Sequence, residues 1–241
     1  MKIETITFVY NEEFLLPYYL NHYDFVDKIN IFYDTDSTDK TFSIINKNKK
    51  CNINYFTFPN MMDDRIKVDA INKMYKNLSC DIVFVVDVDE FIFCKKKKIE
   101  KACELNSIIK VKFGNVFRHV NEKDLDLKKT VLSQRKHGYF DYKYFKPIIA
   151  HTNLPISWSV GNHRIIGGES VDLGFIGAHW ANADPCFCIE RRTKNRKFRQ
   201  SQFNLKNKFT IQHHNCTEET ILKECDLHKN DPLIFDNIKI L

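Results

Sequence analysis

The sequence predicts an α/β fold built on a mostly parallel central sheet flanked by helices. Three observations predict it. Short β-branched runs alternate with amphipathic stretches from Ile3 to Val86, acids cluster where those runs end, and all seven glycines lie at Gly114 or beyond.

Strands are expected at Ile3 to Val9, Ile29 to Tyr33, Ile53 to Phe58 and Ile82 to Val86, each an apolar run of the kind a strand buried on both faces requires. Between them Leu16, Tyr19, Leu20 and Tyr23 mark one amphipathic helix, Phe42 and Ile45 a second, and Ile66, Ala70, Met74 and Leu78 a third. Strand and helix alternating in this order suit right-handed crossovers in a doubly wound sheet. Beyond Ile108 the pattern loosens. Ile108 to Phe113 reads as a strand, Tyr144 to Ile149 and Ile165-Ile166 as others, and Gly161, Gly167, Gly168, Gly174 and Gly177 punctuate loops. With no repeat and no Pro-rich or Ser-rich linker, a single domain over 1–241 is expected, its portion from 108 onward smaller and less regular.

Composition narrows the class. With 43% hydrophobic and 28% charged residues the chain is too apolar to be disordered. No apolar run approaches the ~18 residues of a membrane span, and Met1-Lys2-Ile3-Glu4 opens into a strand-like pattern without a secretory segment, so a cytoplasmic protein is expected. The eight cysteines then read as reduced thiols. Cys186 and Cys188 with His213, His214 and Cys216 have some zinc-ligand character, but the C-x-C gap is tighter than zinc sites favour. The net charge of +6 is concentrated in Lys95 to Lys98 and in Arg191, Arg192, Lys194, Arg196, Lys197, Arg199, Lys206 and Lys208. The second tract, 191–208, reads as a basic face suited to anionic lipid headgroups or a phosphorylated acceptor, and so to peripheral contact with the inner face of a membrane.

In open α/β sheets ligands sit beyond the carboxyl ends of the strands. There the sequence places Tyr10-Asn11-Glu12, Asp34 to Asp39, Met61 to Arg65 and Asp87-Val88-Asp89-Glu90. The first half has neither GxGxxG nor GxxxxGK[ST], which argues against a dinucleotide dehydrogenase or a P-loop nucleotidase. Unpartnered burial of carboxylates costs several kcal/mol each, so a plain core strand would not place DVDE between VFVV and FIF. On an extended segment Asp87 and Asp89 project together, about 6 to 7 Å apart, and suit one Mg²⁺ or Mn²⁺ that neutralises a departing diphosphate.

Tyr10-Asn11-Glu12-Glu13 with Leu16-Pro17 and His22, then Asp34-Thr35-Asp36-Ser37-Thr38-Asp39, then Asp87-Val88-Asp89-Glu90-Phe91 resembles the glycosyltransferase family 2-like enzymes of GT-A fold, in the branch with a DxDEF motif. The likeness continues through Val111 to Gly114, Lys146-Pro147-Ile148, Gly161-Asn162-His163 and Ala178-His179-Trp180. The resemblance implies a Rossmann-like nucleotide-sugar-binding half over 1–107 and an acceptor-side half over 108–241. It implies that Tyr10, Asn11, Glu12, Asp36, Asp87 and Val88 bind the nucleotide sugar and that Asp87 and Asp89 hold the metal. His179 is its first candidate for a third metal ligand. His163 is the second, with a catalytic role at the acceptor as its alternative. Arg65, with Asp69 and Asn72 on one helix face, is placed to reach the phosphates.

The implied activity is metal-dependent transfer of a sugar from a nucleoside diphosphate to a hydroxyl of a glycan or lipid-linked acceptor, as in surface polysaccharide or glycolipid assembly. Inversion at the anomeric carbon is expected from the family. The acidic pair that supplies its general base is missing between Gly114 and His179, leaving Asp141, Glu169 and Asp172 as candidates. Two other classes fit parts of the sequence: a metal-dependent nucleotidyl or phosphoryl transferase, and a basic nucleic-acid-binding module. The acidic rim opposes the latter, and no nucleic-acid partner is expected.

Overall fold

A computed structural model describes residues 1–59, 61–104, 107–209 and 215–235. Strands β1 (Ile3–Val9), β2 (Lys28–Asp34), β3 (Cys51–Phe56) and β4 (Ile82–Val85) run parallel, as their apolar runs predict. Alternate residues of these strands feed opposite cores. Ile29, Ile31, Ile82 and Phe84 pack with helices α1 (Leu16–His22) and α2 (Thr41–Lys47). Phe32, Val83 and Val85 pack with α3 (Asp64–Lys76) on the other side. Each buried aliphatic or aromatic side chain contributes roughly 1.5–3 kcal/mol, which is why continuous apolar runs stay between two helical layers.

The sheet continues through β5 (Glu90–Phe93), β6 (Ile108–Phe117), β7 (Gly138–His151) and β10 (Ser170–Asn182), in the order β3-β2-β1-β4-β7-β6-β10-β5. β7 and β5 run antiparallel to their neighbours, and the other six strands share one direction. A separate ribbon pairs β8 (Ser157–Trp158) with β9 (Ile165–Ile166). Helices α4 (Lys96–Cys103), α5 (Val131–Gln134), α6 (Pro185–Ile189), α7 (Gln202–Lys206) and α8 (Glu218–His228) complete the described elements.

Three expectations need correction. The portion beyond Ile108 is less regular in register, with shifts between β6, β7 and β10, but its strands are longer than expected, at 10, 14 and 13 residues. β10 escapes sequence reading because Gly174, at φ +69°, sits in a register shift between Asp172 and Phe175, and Gly177 breaks the apolar run. Second, the stripe of α3 is wider than expected: Ala70, Met74 and Leu78 pack against the core as their spacing predicts, Ile71 and Tyr75 are buried beside them, and Ile66 is exposed. Third, DVDE is not an extended segment. Glu90 N–H donates to the Asp87 carbonyl at 3.0 Å and Asp87 N–H to Glu90 Oε2 at 3.0 Å, closing a turn between β4 and β5. Val88 fills the core under that turn.

Candidate functional site

The carboxyl ends of β1, β2 and β4 open onto a cleft of about 360 Å³. Its floor is the Asp87–Glu90 turn, one wall is the first turn of α3, and the other carries His163 and His179. Each is positioned by local structure. Asp63 caps α3 by accepting the Arg65 N–H at 2.9 Å, which starts the helix at Asp64 and directs Asp64 and Lys67 inward, in line with Ile71. β10 pairs with β5 and β6 on its two edges, so His179 lies opposite both Glu90 and Asn115. There Nδ1 bonds the Asn115 side-chain oxygen at 2.8 Å, leaving Nε2 toward Asp89 Oδ2 at 3.7 Å.

The remaining wall comes from the far end of the chain. Asp184 caps α6, and the chain runs on as a π-helical turn, Glu190–Asn195, that aims Arg191 at the floor. Arg191 Nε donates to Glu12 Oε1 at 3.0 Å and its Nη1 to Asp89 Oδ2. Arg196 Nη2 shares Glu12 Oε1 at 2.6 Å. Arg199 lies 3.7 Å from the Tyr10 ring centroid and bridges Asp34 and Asp36, each at 2.9 Å. Backbone bonds from Met62 N to the Arg199 carbonyl and from Ser201 N to the Met62 carbonyl pin this segment to the start of α3.

The floor is a set of buried and half-buried ion pairs. Lys67 Nζ donates to Asp87 Oδ1 at 2.7 Å, and Lys146 Nζ lies 3.5 Å from Asp87 Oδ2 while donating to Glu90 Oε1. Burial alone would raise the Asp87 and Asp89 carboxyls, but Lys67 and Lys146 hold the first well below its ordinary value and Arg191 with His179 holds the second below it. Burial would likewise lower Lys146, but Glu90 and Asp87 outweigh it, so the ammonium stays charged. Burial pushes the Glu90 carboxyl up to about 7. It also lowers His179 to about 4, and burial together with Lys146 lowers His163 to about 4. Both imidazoles are therefore neutral near pH 7.

Of the residues expected to bind a nucleotide sugar, Tyr10, Asp87 and Val88 line the cleft, as do Asp89, His163 and His179. Asn11 does not. It takes a left-handed conformation, φ 50°, and ties β1 to the next loop by accepting the Thr38 N–H at 2.7 Å. Glu12 is fully buried behind Arg191 and Arg196, and Asp36 is exposed outside the cleft lining, its carboxylate paired with Arg199. Arg65 turns away from the cleft, bonded back to Asp63 at 2.7 Å and stacked 3.9 Å over Phe203. Asp69 pairs with Lys73, and Asn72 holds the backbone of Trp158. Asp141, Glu169 and Asp172 do not border the cleft; Asp141 and Asp172 accept nearby backbone N–H groups in β7 and β10.

The basic tract is not the solvated face expected of it. Arg191, Arg192, Arg196 and Arg199 turn into the cleft toward buried or half-buried acids, whereas Lys194, Lys206 and Lys208 stay exposed. Sequence reasoning missed Lys67, Lys146 and the four arginines as site residues, and also Asp64. Burial raises the Asp64 carboxyl, and among the described residues Asp64 is the cleft-lining carboxylate with no salt bridge. The line of Ile71 and Tyr75 on α3 was the available signal, since Asp64 and Lys67 extend it toward the sheet's edge.

A divalent ion bridged by Asp87 and Asp89 does not fit these residues. Each carboxylate already has a cation on it, and the ion would stand against the Lys67 ammonium. Among the described residues no three His, Cys, Asp or Glu side chains gather into a metal-binding group. Cys186 is exposed while Cys188 and Cys216 are buried, and His213 and His214 lie outside the described residues. No described helix is long and apolar enough to cross a membrane.

No family model and no curated protein matches this sequence. Among solved structures the chain is similar to S. aureus TarS 1-349 in complex with UDP-GlcNAc, at 18% identity and a TM-score of 0.44 over 93% of this chain and 71% of that one. It is similar to the longer S. aureus TarS structure at 14% identity and a TM-score of 0.43, over 95% of this chain and 54% of that one. The chain thus spans about half the length of that structure. A putative glucose-1-phosphate thymidylyltransferase from Bacillus anthracis is similar at 8% identity and a TM-score of 0.41, over 89% of this chain and 97% of that one.

Proposed function

We propose that the protein is a glycosyltransferase that moves a sugar from a nucleoside-diphosphate sugar to a hydroxyl acceptor, a glycan or a lipid-linked glycan. One observation carries this reading: a cleft at the carboxyl ends of the parallel strands joins an aromatic and acidic end, Tyr10 with Asp34, to a row of fixed cations, and then to acid–base groups outside the ion pairs. Base and ribose suit the first part, a diphosphate the second and a hydroxyl acceptor the third. In the reaction the acceptor oxygen bonds to the anomeric carbon, the bond from that carbon to the diphosphate oxygen breaks, and the nucleoside diphosphate leaves with the electron pair. The acceptor proton passes to a base, for which the cleft offers Asp64 and His163, neither bonded to a cation.

The test is incubation with a panel of nucleotide sugars that begins with UDP-N-acetylglucosamine, the ligand in the TarS complex. Release of a nucleoside diphosphate is expected, abolished in Asp89→Ala. Release of pyrophosphate from a nucleoside triphosphate and a sugar phosphate, with no turnover of any nucleotide sugar, would establish a nucleotidyl transferase instead.

A further inference from the structure

The turn that carries both aspartates is electrically complete without an added ion. Each of its carboxyls already has a cation on it, in two neighbouring sets: Lys67 and Lys146 hold Asp87 and Lys146 also Glu90, while Arg191 holds Asp89 and, with Arg196, Glu12. Two of the cations are held by the core: the side chains of Lys146 and Arg191 are 6% and 3% exposed. A divalent ion binding Asp87 and Asp89 would have to expel them from their carboxylates or stand within a few ångströms of them. Expulsion leaves a buried charge unpaired, at several kcal/mol, and the close approach sets like charges together in a poorly screened site.

The other two cations are placed differently. Lys67 and Arg196 are 24% and 25% exposed, and both border the cleft. Each uses part of its donor set on its carboxylate. An ammonium has three N–H donors and a guanidinium five, so both retain donors for a second anion. Lys67 comes from α3 and Arg196 from the segment after α6, so two separate elements each bring a cation to the cleft. An anion lying over the turn meets both.

We infer that this cleft binds the diphosphate of its donor through Lys67 and Arg196, backed by Lys146 and Arg191, without a divalent cation. The two aspartates then act as positioning residues: Asp87 fixes the Lys67 ammonium and Asp89 the Arg191 guanidinium, which in turn shares Glu12 with Arg196. The bond-breaking step needs no further reactant, since the charge that develops on the departing diphosphate is met by cations already in place. The inference rests on the nucleotide-sugar reading, and its test separates the two.

The test is calorimetric titration of the chelator-treated protein with UDP, GDP, CDP and ADP, first in EDTA and then in Mn²⁺. At least one diphosphate is expected to bind with affinities that agree within about twofold under the two conditions. Lys67→Met and Arg196→Met are each expected to weaken it at least tenfold. Arg65→Met, on the same helix but turned onto Phe203, is expected to leave it unchanged. Spectroscopic titration with Mn²⁺ alone should show the free-ion signal throughout, with no stoichiometric binding. Binding that needs Mn²⁺, or one tightly held ion per chain lost in Asp89→Asn, overturns the inference and leaves the donor reading standing. Binding of no diphosphate in either buffer overturns both.

Discussion

The two ends of the chain that meet in the cleft are built on different principles. The N-terminal strands and α1 to α3 form from local pattern: apolar runs of strand length, helical periodicity, and a cap at Asp63. The segment from Asp184 to Ser201 has little apolar content and takes its shape from charges supplied by the other end. Arg191 reaches Glu12, 179 residues earlier, and Arg199 reaches Asp34, 165 earlier. A run of basic residues thus becomes a structural wall when the opposing acids already stand on a rigid sheet.

The largest expected effect of breaking this contrast is at Arg191. Its guanidinium is the cation shared by buried Glu12 and Asp89, so Arg191→Met leaves two carboxylates without it. A loss of roughly 3–5 kcal/mol in urea denaturation is expected. The double replacement Asp89→Asn and Arg191→Met should recover much of it, because Glu12 keeps Arg196 and no buried charge is left without a partner. A loss under about 1 kcal/mol in the single variant would show that the segment is held by its backbone bonds to Met62 instead.

How much was legible in the sequence follows from the same contrast. Strands β1, β2 and β4 and helix α1 stand within a few residues of where their patterns place them, since the period of burial is written in consecutive residues. The acids at the strand ends were also legible as a group. Their partners were not. Nothing local distinguishes Lys67 from Arg65, two residues apart on α3, until the neighbour of each is known: the Asp87 turn for one and Phe203 for the other. Reading DVDE as a metal site followed from the cost of burying carboxylates without partners. The lysines and arginines that pair with them lie far off in sequence, where spacing arguments do not reach.

A smaller effect is expected from the strand that brings His179 to the floor. A Cβ on Gly177 would stand 2.6 Å from Phe113 Cε1 and 2.6 Å from the Phe91 carbonyl oxygen, and a backbone atom cannot rotate aside. Gly177→Ala should therefore cost roughly 1–3 kcal/mol and loosen β5 from β10. Gly174→Ala makes no contact within 4 Å but must adopt φ +69°, so it should cost only about 1 kcal/mol. Equal costs at the two positions would indicate that the β5–β10 edge opens easily and does not fix His179.

The smallest expected effect separates two kinds of buried histidine. His179 belongs to the cleft, whereas His22, at the end of α1, is half-buried against β5, bonding the Ile92 carbonyl through Nε2 at 2.9 Å. Burial lowers His22 from 6.5 to about 4. Between those values the unfolded chain binds the proton that the folded chain refuses, so the contribution of His22 to stability falls as pH drops through this window and is constant above it. From pH 7.5 to 5.5 the change is about 1 kcal/mol. Glu90 has the opposite slope, since its folded value is raised from 4.5 to about 7, so the wild-type curve alone does not isolate the histidine. The informative quantity is the difference between wild type and His22→Phe. It should shift in favour of the variant by about 1 kcal/mol over this range, with the cleft titrations cancelling because neither His179 nor Glu90 is altered. A difference that does not vary with pH would mean that His22 accepts a proton in the folded state, through an opening of the α1–β5 contact that Tyr23, bonded to the Glu90 carbonyl, otherwise holds shut.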